Sequence, residues 1–395
     1  MNKLSDRINR LETSATLAMA AKGRELRAEG KNIISLSLGE PDFNTPEFIK
    51  DAAIAAINDN YNKYTPVDGY DDLKQAIINK FKRDNNLNYD KSQIVVSTGA
   101  KQSLANVAMV CINPGDEVIL PCPYWVSYKD IVKIAEGVPV EVPTTIETDF
   151  KMTPQQLEKA ITPKTKMLWF SSPCNPSGML YSKEELRALA DVLQKHPDII
   201  IVSDEIYEHI NFTANRHASM AAFDDMYERT VTVNGVSKAF AMTGWRIGYI
   251  GAPSYIARAC NKIQGQFTSG ANCIAQRATI AALEAPVSKI SFMIDTFKER
   301  RKLILDLLSD VPGFKCNAPQ GAFYVFPDVS ELYGKSFRGK TINNATDLSM
   351  YLLEEAEVAT VTGEAFGDAN CIRLSYAASE KEITQAIQQI KAALS

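Results

Sequence analysis

Lys238 lies in the stretch Gly235-Val236-Ser237-Lys238-Ala239-Phe240-Ala241-Met242-Thr243-Gly244-Trp245-Arg246-Ile247-Gly248, which is punctuated by glycine and nearly free of other charge. An amine in such a setting is desolvated, which lowers its pKa and frees its lone pair to attack a carbonyl carbon. Arg246, further along the same loop, supplies a fixed cation suited to a phosphate. Asp204 closes the apolar run that begins at Ile199. A carboxylate at the carboxyl end of a buried parallel strand stands where open α/β sheets bind ligands, and it can keep a ring nitrogen protonated. Each signal also has a plainer reading: a surface lysine, a structural arginine, and an aspartate acting as a helix N-cap.

These residues need a scaffold, and the chain shows one. From about residue 90 to 250, short apolar runs alternate with segments of helical period, the pattern of a parallel sheet covered by helices, so the fold class is α/β. Candidate strands run up to Gly99, from Glu117, from Lys166, to Asp204 and to Gly235. Their nearly unbroken Val and Ile content implies burial on both faces. Helix starts are marked by Thr45-Pro46 and Thr153-Pro154, and by the capping-box pairs Ser182 with Glu185 and Ser379 with Glu382. Beyond about residue 285 come a long helix from Ser291, short strands around Tyr324 and Arg373, and a closing helix from Glu380, which reads as a smaller α+β unit.

Composition narrows the chemistry. The 395 residues are 45% hydrophobic and 23% charged, with 43 Lys plus Arg against 47 Asp plus Glu, giving a net charge of -4. A balanced surface of that kind argues against nucleic acid and anionic membranes as partners and leaves small molecules. Seven scattered cysteines without a CxxC pair indicate neither a disulfide framework nor a zinc ribbon, which fits a reducing cytoplasm. His196, His209 and His217 form no HxH or HExxH pattern, so they read as satisfied surface residues and no metal site is expected. The charged N-terminus does not read as a signal peptide, and no stretch is apolar enough to span a bilayer.

Five ordered segments, PYWVSY, NPSG, VSDEIYE, SKAFAMTGWRIGY and RLSYA, give the chain a family likeness over nearly its whole length. It resembles the class I aminotransferases among the fold-type I pyridoxal-phosphate enzymes, and within them the prokaryotic subgroup of aspartate aminotransferases. The resemblance implies a large domain, residues 48–285, with a mostly parallel seven-stranded sheet flanked by helices. It also implies a small domain of residues 14–47 with 286–395, an N-terminal arm of residues 1–13, and a homodimer. It implies that Lys238 carries pyridoxal 5′-phosphate as a Schiff base and moves the proton between substrate Cα and cofactor. Asp204 would pair with the pyridinium nitrogen, Tyr207 and Asn175 would donate to the ring oxygen, and Trp125 would stack on the ring. The phosphate would rest against Ser97-Thr98-Gly99-Ala100-Lys101 and Arg246, with Tyr64 reaching it from the neighbouring subunit. Arg373 would clamp the substrate α-carboxylate, helped by Gly39, with Pro41 following in a loop able to close over the site. Gly235 departs from the pattern, since several aminotransferases carry a phosphate-binding serine there; Ser237 or backbone donors would replace it.

For the distal carboxylate of a substrate the resemblance points to Lys101, with Ser14 and Thr16 as helpers; service to the cofactor phosphate alone is the competing role. The expected reaction is transfer of the amino group of aspartate to 2-oxoglutarate by a ping-pong route. Broader use of aromatic substrates or prephenate is the alternative, because a lysine is a flexible point charge. A β-eliminating or cyclopropane-forming enzyme of the same fold, and a non-catalytic cofactor-binding module, are the rival readings.

Overall fold

Valine and isoleucine recur in four strands of the central sheet and Met-Leu-Trp-Phe fills a fifth, and in the computed structural model, which describes residues 4–11, 13 and 15–395, those five strands are buried on both sides. The order across the sheet is Ile94–Ser97, Gly248–Gly251, Thr230–Gly235, Ile200–Asp204, Thr165–Ser171, Glu117–Cys122, Val138–Pro143. Gly248–Gly251 runs antiparallel to both its neighbours, and the other pairings are parallel. The mostly parallel seven-stranded sheet is therefore present as expected. Ser171 lies opposite Asp204, and Asp204 opposite Val233, which brings the carboxyl ends of the central strands level at one rim.

Two strands escaped the apolar-run criterion. Val138–Pro143 is an edge strand containing two prolines, tolerated there because an edge leaves some N–H groups without a ladder partner. Gly248–Gly251 carries glycine because neighbours press on it. A Cβ at Gly251 would strike the Tyr89 ring, and one at Gly248 would strike the backbone nitrogen of Ala100.

The capping signals hold at three of four sites. Thr153, Ser182 and Ser379 accept from the backbone N–H groups of Gln156, Glu185 and Glu382. Thr45 does not cap: the helix Glu47–Asn58 begins after Pro46 with no side-chain cap. Its hydroxyl instead donates to the Ala241 carbonyl at 2.6 Å and accepts from Trp245 Nε1 at 3.0 Å. The half-buried Ala241 carbonyl, with no ladder partner, is satisfied in place of the helix end, and the result pins the start of that helix to the Lys238 loop.

The C-terminal elements are the helices Ser291–Leu308, Ala345–Glu355 and Glu380–Ala393 around an antiparallel sheet of Val361–Thr362, Ile372–Ser375 and Tyr324–Val325. The N-terminal segment joins them. Ile34–Ser35 pairs in parallel with Val358–Ala359, and the Ser375 N–H donates to the Leu36 carbonyl at 2.8 Å. That pairing delivers Leu38, Gly39 and Glu40 to the rim of the large sheet. One apolar cluster runs from Ile49 and Ala53 through Phe240 and Met242 to Tyr324, Leu348 and Ile387, so the Lys238 loop shares a core with the C-terminal strands. A second cluster on the opposite face holds Leu104, Tyr128 and the fully buried Trp169. Truncating Trp169 to alanine would cost about 3–5 kcal/mol by the usual sum of lost transfer energy and cavity. Among the described residues, no helix is long and apolar enough to cross a membrane.

Candidate active site

The level strand ends and the N-terminal segment enclose a cavity of about 350 Å³. Gly39, Ala100, Lys101, Trp125, Asn175, Asp204, Tyr207, Ser237, Lys238, Arg246 and Arg373 all line it, with Thr16 at one side.

Asp204 forms the floor. Its Oδ2 accepts from the Tyr128 hydroxyl at 2.7 Å and its Oδ1 from the Ile206 N–H at 3.2 Å. Burial pushes its pKa up to about 6, an effect that these hydrogen bonds hold back. The capping reading is met only as far as Ile206, because a turn rather than a helix follows.

Lys238 Nζ donates to the Gly39 carbonyl at 2.6 Å and stands 5.7 Å from the centre of the Tyr207 ring. Burial lowers its pKa to about 8, with the cations Arg373 and Arg246 adding to the fall. Arg373 is 1% exposed and bonds Asn175 Oδ1 at 2.9 Å and the Ser37 carbonyl at 2.5 Å. Its Nε has no partner, and no carboxylate of the described residues forms an ion pair with it. A buried guanidinium without a counter-ion is costly unless an anion comes to it. Because Asn175 gives its oxygen to Arg373, its amide N–H groups are left to donate into the cavity.

At the opposite wall, Gly99 takes φ +82°, and a Cβ there would overlap the Arg246 guanidinium. The helix Ala100–Cys111 starts beside it with no side-chain cap, so its first N–H groups and Arg246 make a site for an anion. Lys101 Nζ lies 4.7 Å from the Trp125 ring centre, and burial lowers its pKa, with Arg246 contributing. Ser97 is turned away, its hydroxyl donating to Gln264 at 2.7 Å, while Thr98 is exposed. Gly235 has no room for a serine: a Cβ would meet the Ile247 carbonyl at 2.9 Å and Gly248 at 3.0 Å.

Tyr64 does not line the cavity; it is 99% exposed. Pro41 is buried behind Glu40, and Ser14 lies outside the described residues. The lining groups not anticipated include Tyr128, Tyr324, Glu40 and Thr243. Tyr128 had a usable signal, since it follows Trp125 by one helical turn and the two rings meet edge to face at 5.6 Å.

The histidine expectation needs correction. The side chains of His209 and His217 are only 12% and 5% exposed, drawn inward by Asp84, Glu205 and Glu208. Asp84, Glu208 and His209, and likewise Glu205, Glu208 and His217, stand close enough to share a metal ion. The buried Lys80 ammonium already ion-pairs with Glu208 in that cluster and, against the opposing effect of burial, helps hold its pKa well below the ordinary carboxylate range.

Residues 31–390 match the family model described as "Aminotransferase class I and II". The chain belongs to that family. This aminotransferase is 50% identical to the aspartate/prephenate aminotransferase of Nitrosomonas europaea over the whole of both chains. It is 45% identical to the bifunctional aspartate aminotransferase and glutamate/aspartate-prephenate aminotransferase of Petunia hybrida, across 99% of this chain and 82% of the relative. Among solved structures it superposes on the aspartate aminotransferase of Rhizobium meliloti with a TM-score of 0.97 at 44% identity, covering 100% and 99% of the two chains. The Thermus thermophilus aspartate aminotransferase with maleate gives 0.93 at 40% identity, with both chains fully covered. Class I aminotransferases depend on pyridoxal phosphate, and the cavity fits that group: an amine with a lowered pKa, a buried carboxylate, and a glycine-floored helix N-terminus beside an arginine.

Proposed function

We propose that this aminotransferase moves the amino group of aspartate to 2-oxoglutarate, forming oxaloacetate and glutamate, as a cytoplasmic homodimer with its cofactor on Lys238. The observation that carries this reading is the pair of cations in one cavity, Arg373 without a counter-ion among the described residues and Lys101 over Trp125. Two cations suit two carboxylates. The relatives named for aspartate, and the Thermus enzyme whose structure holds the dicarboxylate maleate, support the same substrate class.

When bound, pyridoxal phosphate supplies an electron sink for the bonds at the substrate Cα. The chain does the rest. Lys238 holds the cofactor and then, as a free amine, accepts and returns the Cα proton. Asp204 keeps the ring nitrogen protonated, and Tyr128 fixes its carboxylate. Asn175 and Tyr207 donate to the ring oxygen, Trp125 covers the ring face and keeps water out, and Gly99, Ala100, Ser237 and Arg246 take the phosphate. Arg373 binds the α-carboxylate through its fork, with Gly39 closing over it. Tyr64 serves the phosphate of the second subunit, and residues 14–47 move with 286–395.

A second acceptor, prephenate, has its own support. Leu17 and Leu38 line the mouth of the cavity and are 64% and 41% exposed, an apolar rim that suits an unsaturated carboxylated ring. The test is product analysis after incubating the loaded protein with aspartate and either 2-oxoglutarate or prephenate. Oxaloacetate with the matching amino acid is expected; release of ammonia without an acceptor would turn the reading to β-elimination.

A further inference from the structure

The Tyr207 hydroxyl meets the Tyr324 hydroxyl at 2.7 Å, with the two rings edge to face at 5.8 Å. Both residues are buried, and among the described residues neither hydroxyl has another hydrogen-bond partner. A phenol holds one proton, so a single bond between two phenols uses one and leaves the other free to point elsewhere. Which phenol donates decides what Tyr207 can do.

The cations over the two rings set the direction. The Arg373 guanidinium lies 4.6 Å from the Tyr324 ring centre, nearer than Lys238 Nζ to the Tyr207 ring at 5.7 Å, and the closer cation makes Tyr324 the stronger donor. Gly39 leaves the hydroxyl room for this bond, because a Cβ on that residue would stand 2.3 Å from the Tyr324 oxygen.

We propose that Tyr324 is a positioning residue for the cofactor seat: its hydroxyl donates to the Tyr207 hydroxyl and thereby turns the Tyr207 proton into the cavity, toward the ring oxygen. This rests on the reading that the Lys238 cavity holds pyridoxal phosphate. Bonds in such a chain strengthen one another, so Tyr324 makes Tyr207 a better donor as well as a better aimed one. It also explains why residue 39 is glycine: any side chain would push the Tyr324 hydroxyl off its partner.

The test is a pH titration of the visible absorption band of the loaded wild type, Tyr207→Phe, Tyr324→Phe and the double variant, with melting of the unloaded proteins alongside. A donor on the ring oxygen stabilises the form carrying more negative charge, so losing it moves the midpoint to higher pH. Tyr207→Phe is expected to raise the midpoint, and Tyr324→Phe to raise it by at least about 10–30% of that shift, the size of cooperative strengthening. The double variant is expected to titrate with Tyr207→Phe alone, since Tyr324 acts only through Tyr207. Gly39→Ala, which keeps both tyrosines, is expected to move the midpoint upward as well, and it decides the matter if Tyr324→Phe does not fold. A wild-type midpoint in Tyr324→Phe or, failing that variant, in Gly39→Ala overturns the relay, as does a double variant that exceeds Tyr207→Phe. If Tyr207→Phe itself leaves the midpoint unmoved, the relay fails together with the assignment of Tyr207 to the ring. Absence of any visible band in the wild type removes the cofactor reading beneath both.

Discussion

Lys238 Nζ reaches the Gly39 carbonyl at 2.6 Å, and this bond joins the loop after the strand Thr230–Gly235 to a segment held by the C-terminal elements. The lysine is thus kept half-buried, and desolvation brings its pKa to about 8 from the ordinary 10.5. In the cofactor-free protein the unfolded chain binds the proton more tightly, so the cost of burying Lys238 is full below about pH 8 and is relieved as pH rises toward 10.5. The stability of Lys238→Met relative to wild type should therefore be greater at pH 7.5 than at pH 10, measured by thermal melting without cofactor. In the wild type, reaction of Lys238 with an amine-selective reagent should rise with a midpoint near 8. A midpoint at the ordinary lysine value would mean that the amine is not desolvated.

Asp204→Asn removes the negative charge, while its one amide oxygen can still accept from the Ile206 N–H and its NH2 can donate to the Tyr128 hydroxyl. The turnover number should fall about 10²–10³-fold, the scale of a lost preorganised electrostatic contact. The melting temperature should barely change. Wild-type turnover would reduce Asp204 to a cap for Ile206.

Lys101→Ala should raise KM for aspartate and 2-oxoglutarate far more than for alanine or phenylalanine, because only the former carry a second carboxylate. Equal losses in both groups would return Lys101 to the cofactor phosphate.

Arg300 grips Asp42 with two bonds of 2.7 and 2.9 Å and lies 5.2 Å from the Phe43 ring centre, fixing the loop that carries Gly39. Arg300→Ala should cost about 2–3 kcal/mol by denaturant titration, below the range for a fully buried pair because Asp42 still reaches water. An unchanged midpoint would show that the loop is held by its backbone pairing alone.

Tyr64 is nearly fully exposed in the single chain, so Tyr64→Ala should leave the melting of a monomer unaffected. In the dimer it should weaken retention of pyridoxal phosphate, read by equilibrium dialysis. Undiminished retention would remove Tyr64 from the partner's site.

The parallel strands were legible because Val and Ile runs have one explanation, burial on both faces. Val138–Pro143 and Gly248–Gly251 were not, since proline on an edge and glycine under a neighbouring ring erase that pattern. Thr45 misled because the same hydroxyl can cap a helix or tie down a distant loop, and only the fold supplies Ala241 and Trp245 as partners. In the cavity, lysine, arginine and aspartate declare themselves by charge in apolar surroundings. Tyr324 does not: a tyrosine inside a buried strand looks like core until Tyr207 and Gly39 are placed beside it. His209 and His217 likewise look solvent-facing in sequence: Glu208 adjoins His209, but the fold alone brings Asp84 to His209 and Glu205 to His217.

The most direct measurement is borohydride reduction of the protein loaded with pyridoxal phosphate, followed by peptide mass mapping. The cofactor should be found fixed on the peptide containing Lys238, and Lys238→Ala should lose both the adduct and transamination. An adduct on Lys101 or another lysine, or none at all, would contradict the assignment of Lys238 on which the proposed function stands.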